Sequence, residues 1–474
     1  MSLVWPGTEV WRNIRLVKTG VATSLCYLAL AVFFLIGGDF SRTRYFVLSL
    51  AIAALLWLFW YGSRAVDETR DTRTVLIGFA AAFALAALLF PVTHFSDLPS
   101  YINIGWQQAR YGLNPYVHPV AEVPDLLHDP MIQPIWLDNP CPYGFTYALL
   151  CGVLVSVGRG NPQLIMVLFK VVDFAACALI AYLIVATRGK LGRHQHNFAL
   201  YLFLWNPLVV LEFLANAHND ILMAVFVMLA MYAAACESWA AVLPLLMAGS
   251  LIKYSCALIV PFVLVQMVRQ RKLREVWLGG LMAAGVFLLS GAPYLGDIRN
   301  FRSAAIASNL LVTANSLESV FLYVYEIVVK PIPVLHSTIW IAQIVFQLTI
   351  WAAGTIVLLF QFAIFRHKAG VTTLDLIKHV LFAQFLLVCV ISSKFYPWYV
   401  GGFFPLALVL ERDHWLRQLI VLLSVTATLA FTRLEQAHII NYLVMVLAPT
   451  WWIAREHWRP RRHALDFCSQ TSTL

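Results

Sequence analysis

Four short segments carry the side chains whose types and spacing could do chemistry. They are "FSDLPSY" at 95–101, "EFLANAHNDIL" at 212–222, "AGSLIKYSCALIVPF" at 248–262 and "SSKFYPWYVGGFFP" at 392–405. A carboxylate such as Asp97 can take a proton from a hydroxyl group, and an ammonium such as Lys253 can bind a phosphate or a carboxylate. Each segment lies beside an apolar run, so these runs must position the side chains.

Asp97 allows two interpretations. Seventeen uncharged residues, 74–90, precede it closely, and an aspartate just before a helix with Pro99 in its first turn is typical of an N-cap. A carboxylate at the mouth of an apolar run could instead act as a general base. The two roles do not exclude each other, because a carboxylate can cap a short helix and still point into a site.

The stretch after Asp97 is rich in aromatic and amide side chains. It reads "INIGWQQARYGLNPYVHP" from residue 102 and predicts a partly amphipathic helix that ends at Gly112. Aromatic rings beside amide and carboxyl groups suit sugar rings, although Tyr396 and Trp398 would also fit an interfacial aromatic belt. The expected acceptor or sugar contacts are His94, Tyr101, Trp106, Asn114, Tyr116, Tyr396 and Trp398.

The other segments offer candidates for binding an anion. A helix cap explains one residue of the His-Asn-Asp tripeptide at 218–220, but it does not require Glu212 and a histidine nearby. Lys253 could simply extend its ammonium to the interface, and a phosphate or carboxylate partner is the alternative. The candidates for phosphate or sugar binding are His218, Asn219, Asp220, Lys253, Arg299, Arg302 and Lys394, and the sequence does not rank the cations.

The composition indicates an integral membrane protein. Hydrophobic residues make up 61% of the 474-residue chain and charged residues 12%, against about 25% charged in an ordinary soluble domain. Apolar runs near the length that crosses about 30 Å of hydrocarbon as a helix recur almost from end to end. The formal charge of +9 lies in short connectors, which argues against a nucleic-acid surface and fits a cytoplasmic bias of basic residues.

The pattern predicts fourteen transmembrane segments and both termini in the cytoplasm. The loop 93–142 holds five acidic residues and one basic residue, so we expect it outside. The 15-residue stretch 143–157 is short, and we expect an interfacial or re-entrant helix there. The predicted spans are about 17–37, 45–62, 74–92, 163–187, 197–215, 220–236, 239–253, 256–269, 275–293, 337–365, 375–392, 397–411, 416–432 and 437–454.

These spans divide the chain into three predicted parts. Residues 1–73 hold two N-terminal transmembrane helices that look like an addition to the core. Residues 74–300 form that core with its outer loop 93–142, and residues 301–474 form a C-terminal transmembrane region with an outer loop at 294–336.

The remaining polar and sulfur-containing residues indicate neither a zinc finger nor a disulfide framework. The eight cysteines are scattered, without a CxxC pair or a Cys/His cluster of zinc spacing.

Lys170 and Asp173, three residues apart in one apolar run, are expected to pair on one helix face. Asp97, His218 and Asp220 could bind a divalent ion, so no cofactor is certain and a metal requirement is left open.

The order of the motifs resembles a known enzyme class. "HFSDLPSY", "GLNPY", "PYGFTYALL", "HND" after "WNPLVVLEFLANA", the isolated Lys253 and "FYPWYV" are similar to motifs of membrane glycosyltransferases of the GT-C superfamily. Within it, the chain is most similar to the bacterial polyprenol-phosphomannose-dependent mannosyltransferases, over about residues 74–405. It departs from them in "NPCPYG", where a proline-rich "PP" is usual, and in its two additional N-terminal spans.

The resemblance implies an all-α integral membrane fold with juxtamembrane helices in a large first outer loop. It implies inverting transfer of a sugar, mannose by analogy, from a polyprenyl-phosphate donor to a lipid-linked or glycan acceptor, with Asp97 as the base. The implied partners are membrane lipid, this donor and this acceptor, without nucleic acid. The implied location is the bacterial inner membrane, with the active site on the outer face.

A polytopic transporter or lipid flippase is the alternative, since fourteen spans would suit one. Transporters tend to carry related halves and broken helices at the membrane midplane. Neither is clear in this sequence, where the polar groups collect at one surface. An enzyme-like scaffold, or an acyltransferase that acts through His218, has less support.

Overall fold

The computed structural model describes most of the chain. Within the described ranges the fold is helical and contains no β-strand, apart from an isolated parallel bridge between Ala314 and Lys394. The predicted all-α class is therefore confirmed for these residues, whereas His94 and Arg302 lie outside them. The described residues are 7–36, 42–91, 97–300, 313–328, 332, 338–429 and 438–458.

Among the described residues up to 295, one long loop separates α4 from α5. A π-helical turn, Val209–Ala215, follows α7, and 3₁₀ turns occur at Trp239–Ala241 and Tyr254–Ile259. The bounds are α1 Gly7–Leu35, α2 Arg42–Ser63, α3 Arg70–Leu88, α4 Leu98–Tyr111, α5 Phe145–Gly158, α6 Pro162–Lys190, α7 His196–Leu204, α8 Asp220–Ala235, α9 Val242–Ser250, α10 Val260–Arg269 and α11 Leu273–Leu295.

The described helices after residue 300 are fewer and include two that are very short. A π-helical turn, Leu387–Ile391, continues α14, and a 3₁₀ turn covers Pro397–Gly402. The bounds are α12 Leu317–Val328, α13 Ile339–His367, α14 Thr373–Leu386, α15 Phe404–Ala407, α16 Trp415–Ala427, α17 His438–Tyr442 and α18 Ala448–Trp458.

Seven helices of the described chain are long and apolar enough to cross a membrane. The pair α7 and Val209–Ala215, bent by 60°, would be an eighth if it counts as one broken span. The predicted count of fourteen is not confirmed. The seven are Asn13–Leu35, Phe46–Ser63, Arg70–Leu88, Pro162–Lys190, Leu273–Leu295, Ile339–His367 and Thr373–Ile391.

Several predicted spans are helices that are too short to cross a hydrocarbon core. α8 has 16 residues, which at 1.5 Å per residue cover about 24 Å, less than the roughly 30 Å of a hydrocarbon core. The predicted span 397–411 is also divided, between a 3₁₀ turn and the four-residue helix α15. A Cβ on Gly401 would overlap the ring of Phe213, so the glycine permits a close approach of backbone to core at this turn.

The helices α4 and α5 of the first large loop pack directly against each other. α4 ends at Gly112, whose φ of +65° lies in the left-handed region that closes a helix. α5 has 14 residues and is too short to cross, as predicted for 143–157. Gly105 on α4 faces the carbonyl of Cys151 on α5 without room for a Cβ. This contact fixes α4, and with it Asp97, against the helix bundle.

Lys170 on α6 connects this helix to the end of α3. Its ammonium donates to the carbonyl of Ala87 at 3.1 Å and to that of Phe90 at 2.6 Å. The last carbonyls of a helix have no partner within the helix, and a buried cation satisfies them well. The predicted ion pair between Lys170 and Asp173 is therefore wrong, because the lysine binds these carbonyls instead.

Candidate functional site

The four segments 95–101, 212–222, 248–262 and 392–405, which hold the candidate residues, meet at one cavity of about 1100 Å³. Its wall combines carboxylates, ammonium groups, carboxamides and aromatic rings. The sequence-predicted site residues that line it are Asp97, Asn219, Asp220, Lys253, Lys394, Tyr396 and Trp398. Residues more than 290 positions apart in the chain are thus brought together.

Asp97 occupies the N-cap position of α4 without acting as a side-chain cap. Its backbone has φ −81° and ψ −3°, and its carboxylate makes no hydrogen bond to the helix. The side chain is 25% exposed, and Oδ2 lies 3.7 Å from Nδ1 of His218. The carboxylate is thus directed toward the cavity and His218 rather than toward the end of the helix.

His218 is fully buried between two acidic side chains. Its Nε2 lies 3.2 Å from Oε2 of Glu212, and its ring lies parallel to that of Trp398, within 8° and at 3.9 Å. Burial lowers the pKa of His218, but the carboxylates of Asp97 and Glu212 raise it by more, so the pKa lies above its usual value. This arrangement favours an imidazolium at neutral pH.

The turn that carries His218 has a constrained backbone. Ala217 adopts a φ of +57°, in the left-handed region that is uncommon for residues with a side chain. The N–H of His218 donates to the carbonyl of Glu212 at 3.1 Å. The turn therefore holds the histidine in place between the π-helical segment and α8.

Lys253 and Asp220 form an ion pair at the cavity wall. Nζ lies 2.6 Å from Oδ1 of Asp220 and 4.0 Å from the centre of the Tyr399 ring. The lysine is in an extended backbone segment (φ −142°, ψ 122°) between α9 and the 3₁₀ turn Tyr254–Ile259. This interruption of the helical run allows its ammonium to reach the first residue of α8.

The segment with Lys394 and Tyr396 forms another part of the wall. The N–H of Ala314 donates to the carbonyl of Ser393 at 3.1 Å, and the N–H of Phe395 donates to the carbonyl of Ala314 at 2.8 Å. Burial lowers the pKa of Lys394. The ring of Tyr396 stacks on that of Trp398 at 4.6 Å, so the aromatic motif supports the histidine.

Two membrane-length helices also line the cavity. On α13 the lining residues are spaced i, i+4 and i+8, and on α14 and its π-helical continuation they are spaced i, i+3, i+4 and i+7. Such spacings place side chains on one helix face. The two lining stripes are Gln347, Trp351 and Thr355, and Gln384, Leu387, Val388 and Ile391.

Two of the predicted sugar contacts are packed inside the loop region instead of lining the cavity. Tyr101 is fully buried, and its ring meets those of Tyr143 and Tyr147 edge-on at 5.4 and 5.0 Å. The hydroxyl of Tyr116 donates to the carbonyl of Tyr143 at 2.9 Å. Both side chains hold the loop against α5.

Three further predicted residues also lie away from the cavity lining. Nε1 of Trp106 donates to Oδ2 of Asp129 at 2.6 Å, and Nδ2 of Asn114 donates to the carbonyl of Tyr294 at 3.2 Å. Arg299 is exposed just after α11. The sequence could not separate these residues from the cavity residues, because their partners are distant in the chain.

Some lining residues were not among those predicted. Glu212 had one signal in the sequence, since an ionisable group within an apolar run is costly and favours a function. Gln384 is 3% exposed, and neither of its amide atoms has a hydrogen-bond partner among the described residues. Tyr399 lies in the predicted aromatic segment, but its contact with Lys253 depends on tertiary structure.

The described part of the chain contains no group of three His, Cys, Asp or Glu side chains placed to hold one metal ion. His218, Asp97 and Glu212 adjoin one another as an acid–imidazole–acid row, and the raised pKa of His218 favours a positive charge on the imidazole. The arrangement is suited to proton transfer beside a cationic wall.

Comparisons with known proteins agree on one protein family. The family model described as "Alpha-(1->6)-mannopyranosyltransferase, N-terminal domain" matches residues 22–269. Alpha-(1->6)-mannopyranosyltransferase A of Mycobacterium tuberculosis is 32% identical over 161 residues, 32% of this chain and 30% of that protein. The protein of the same name from Corynebacterium glutamicum is 24% identical over 208 residues, 43% of this chain and 41% of that protein. The aligned stretches thus span well under half of each relative.

Proposed function

The chain belongs to the alpha-(1->6)-mannopyranosyltransferase family, and from this premise we propose that it transfers mannose from a polyprenyl-phosphate donor. The proposed acceptor is a lipid-linked or glycan molecule with a free hydroxyl at the outer face of the membrane. The observation that carries this proposal is the position of Asp97, a partly exposed carboxylate on the wall that also presents Lys253 and Lys394.

The proposed reaction is a single displacement with inversion at the anomeric carbon. The acceptor oxygen forms a bond to that carbon while the bond from the carbon to the phosphate oxygen breaks. Asp97 takes the proton of the acceptor hydroxyl, and the electron pair leaves with the polyprenyl phosphate. A phosphate leaving group needs cationic support more than a proton, which ammonium groups at the cavity can give.

A lipid-borne donor is supported by the helices that line the cavity. Three of the four lining residues of the stripe on α14 and its continuation are apolar, namely Leu387, Val388 and Ile391. They belong to a candidate span, Thr373–Ile391, which packs against α13, another candidate span. An apolar wall on membrane-length helices suits a hydrocarbon tail that stays in the bilayer. The polar wall near Asp97 would then receive the phosphate and the sugar.

The test is transfer by the purified full-length protein in detergent. The donor is a synthetic short polyprenyl-phosphate mannose, the acceptor is a short α-mannoside, and the linkage is read by NMR. We expect an α-(1→6) product and a fall in turnover of about 100-fold or more in Asp97→Asn, the range for loss of general base catalysis. Asp125→Asn is the matched control, because Asp125 is a loop acid whose side chain is 60% exposed.

Three outcomes would contradict parts of the proposal. Undiminished turnover in Asp97→Asn would remove Asp97 as the base. Transfer from a nucleotide sugar but not from the lipid donor would exclude the proposed donor class. Movement of the donor across vesicles without product would favour a flippase. Parallel reactions with EDTA test whether a divalent metal is required.

A further inference from the structure

Glu212 and Asp97 approach opposite nitrogens of the same imidazole. Oε2 of Glu212 lies 3.2 Å from Nε2 of His218, and Oδ2 of Asp97 lies 3.7 Å from Nδ1. Two ionised carboxylates beside the two ring nitrogens favour an imidazolium, in which both nitrogens are donors. The proposed base is therefore one end of a three-residue row whose other end, Glu212, is a buried carboxylate that also lines the cavity.

The Glu212 end of the row is rigidly placed. Glu212 is 1% exposed and His218 is 0% exposed, and the indole of Trp398 covers one face of the imidazole. A buried carboxylate is costly unless a cation or several hydrogen bonds compensate it. Glu212 within an apolar π-helical turn thus has a specific partner in His218.

The charges around His218 come from several elements. Beyond Asp97 and Glu212, the carboxylates of Asp173 on α6 and Asp220 on α8 interact electrostatically with it. Asp220 is itself paired with Lys253, which offsets most of its charge. Among these groups, Glu212 makes the shortest ion-pair contact with the imidazole, so it contributes both to the charge and to the orientation of the ring.

We propose that Glu212 is a positioning residue for mannosyl transfer, which acts by holding His218 as an oriented imidazolium against Oδ2 of Asp97. The other carboxylate oxygen of Asp97 then remains available for the acceptor hydroxyl. Glu212 also balances the positive charge beside the base. The inference rests on the function proposed above, since its readout is the transfer reaction.

The variant Glu212→Gln removes the negative charge of the side chain but keeps its shape. A glutamine keeps the size of the side chain and can still accept a hydrogen bond from Nε2 through its carbonyl, but it no longer stabilises the imidazolium. The pKa of His218 should then fall, because one of the two carboxylates that raise it is gone, so that the ring loses its charge at a lower pH than in the wild type. As the pH rises, a neutral His218 would no longer position the carboxylate of Asp97.

The experiment measures kcat and KM between pH 6 and 8.5 for the wild type, Glu212→Gln, His218→Gln and the double variant. We expect the ratio of kcat in Glu212→Gln to kcat in the wild type to fall by about tenfold or more from pH 6 to pH 8, with KM for the donor changed by less than about twofold. His218→Gln should be slow throughout without this pH step. The double variant should be no slower than His218→Gln alone.

If Glu212 only stabilises the fold, the experiment gives a different result. Asp375→Asn is the matched control, because Asp375 is also a buried carboxylate but pairs with Lys368 at the beginning of α14. It should lower the melting temperature without changing the shape of the pH profile. If Glu212→Gln keeps the wild-type shape, or if the double variant is markedly slower than His218→Gln, the positioning role is overturned. A wild type without transfer would instead refute the proposed function.

Discussion

Nζ of Lys253 lies 2.6 Å from Oδ1 of Asp220, and the two side chains are unequally buried. The lysine side chain is 23% exposed, whereas that of Asp220 is 3% exposed. The charge of the Asp220 carboxylate therefore needs the ammonium for its stabilisation, whereas the more exposed ammonium can also be stabilised by water. The same pair contributes to the cavity wall, so a lysine that was a candidate for phosphate binding also has a structural partner.

Lys253→Met should destabilise the fold more than Asp220→Asn. Removing the lysine leaves a buried carboxylate without its cation, a loss of about 3 to 5 kcal/mol in comparable cases, whereas Lys253 without Asp220 can still reach water. Thermal unfolding in detergent should show a melting temperature several degrees lower for Lys253→Met. The double variant should recover part of this loss. Equal melting temperatures for wild type and Lys253→Met would show that the pair does not stabilise the fold.

The stability contributed by His218 should depend on pH. Because its folded-state pKa is raised above the ordinary value, mainly through Asp97 and Glu212 acting against burial, the contribution is complete below about pH 6.5. It is lost as the pH rises through the raised value, by up to about 1.4 kcal/mol per pH unit.

The measurement for this prediction is the difference in melting temperature between the wild type and His218→Gln. It should be largest near pH 6 and shrink steadily in the alkaline range. A difference that stays constant from pH 6 to pH 10 would mean that the histidine is neutral in the folded protein. Asp375→Asn, whose difference from the wild type should not follow this course, controls for general effects of pH.

Gly105→Ala should impair both stability and turnover. Its new Cβ would meet the carbonyl of Cys151, so α4 must move away from α5, and overpacking of this kind costs about 1 to 3 kcal/mol. Because Asp97 immediately precedes α4, the displacement should also lower kcat. Gly280→Ala on α11, where nothing lies within 4 Å of the added atom, should behave as the wild type. A fully active and stable Gly105→Ala would contradict the role of this helix contact.

Sequence and structure agree best where a motif has a local physical cause. The all-helical class followed from the apolar runs, the end of α4 from Gly112, and the short helix at 143–157 from its length. The resemblance to bacterial mannosyltransferases is confirmed by the family match over residues 22–269. The count of fourteen spans is not confirmed, because hydropathy reports apolar character, whereas crossing a membrane also requires an unbroken helix of sufficient length.

The sequence by itself determined the class of the protein and the segments that hold its chemistry, because apolar periodicity and unusual polar residues are local properties. Only the tertiary structure decided which of these residues meet. It placed Asp97, His218 and Glu212 in one row and moved Tyr101, Trp106, Asn114 and Tyr116 into packing contacts. The reason is that a distance between side chains from different helices depends on how those helices pack, and spacing along the chain does not encode that distance.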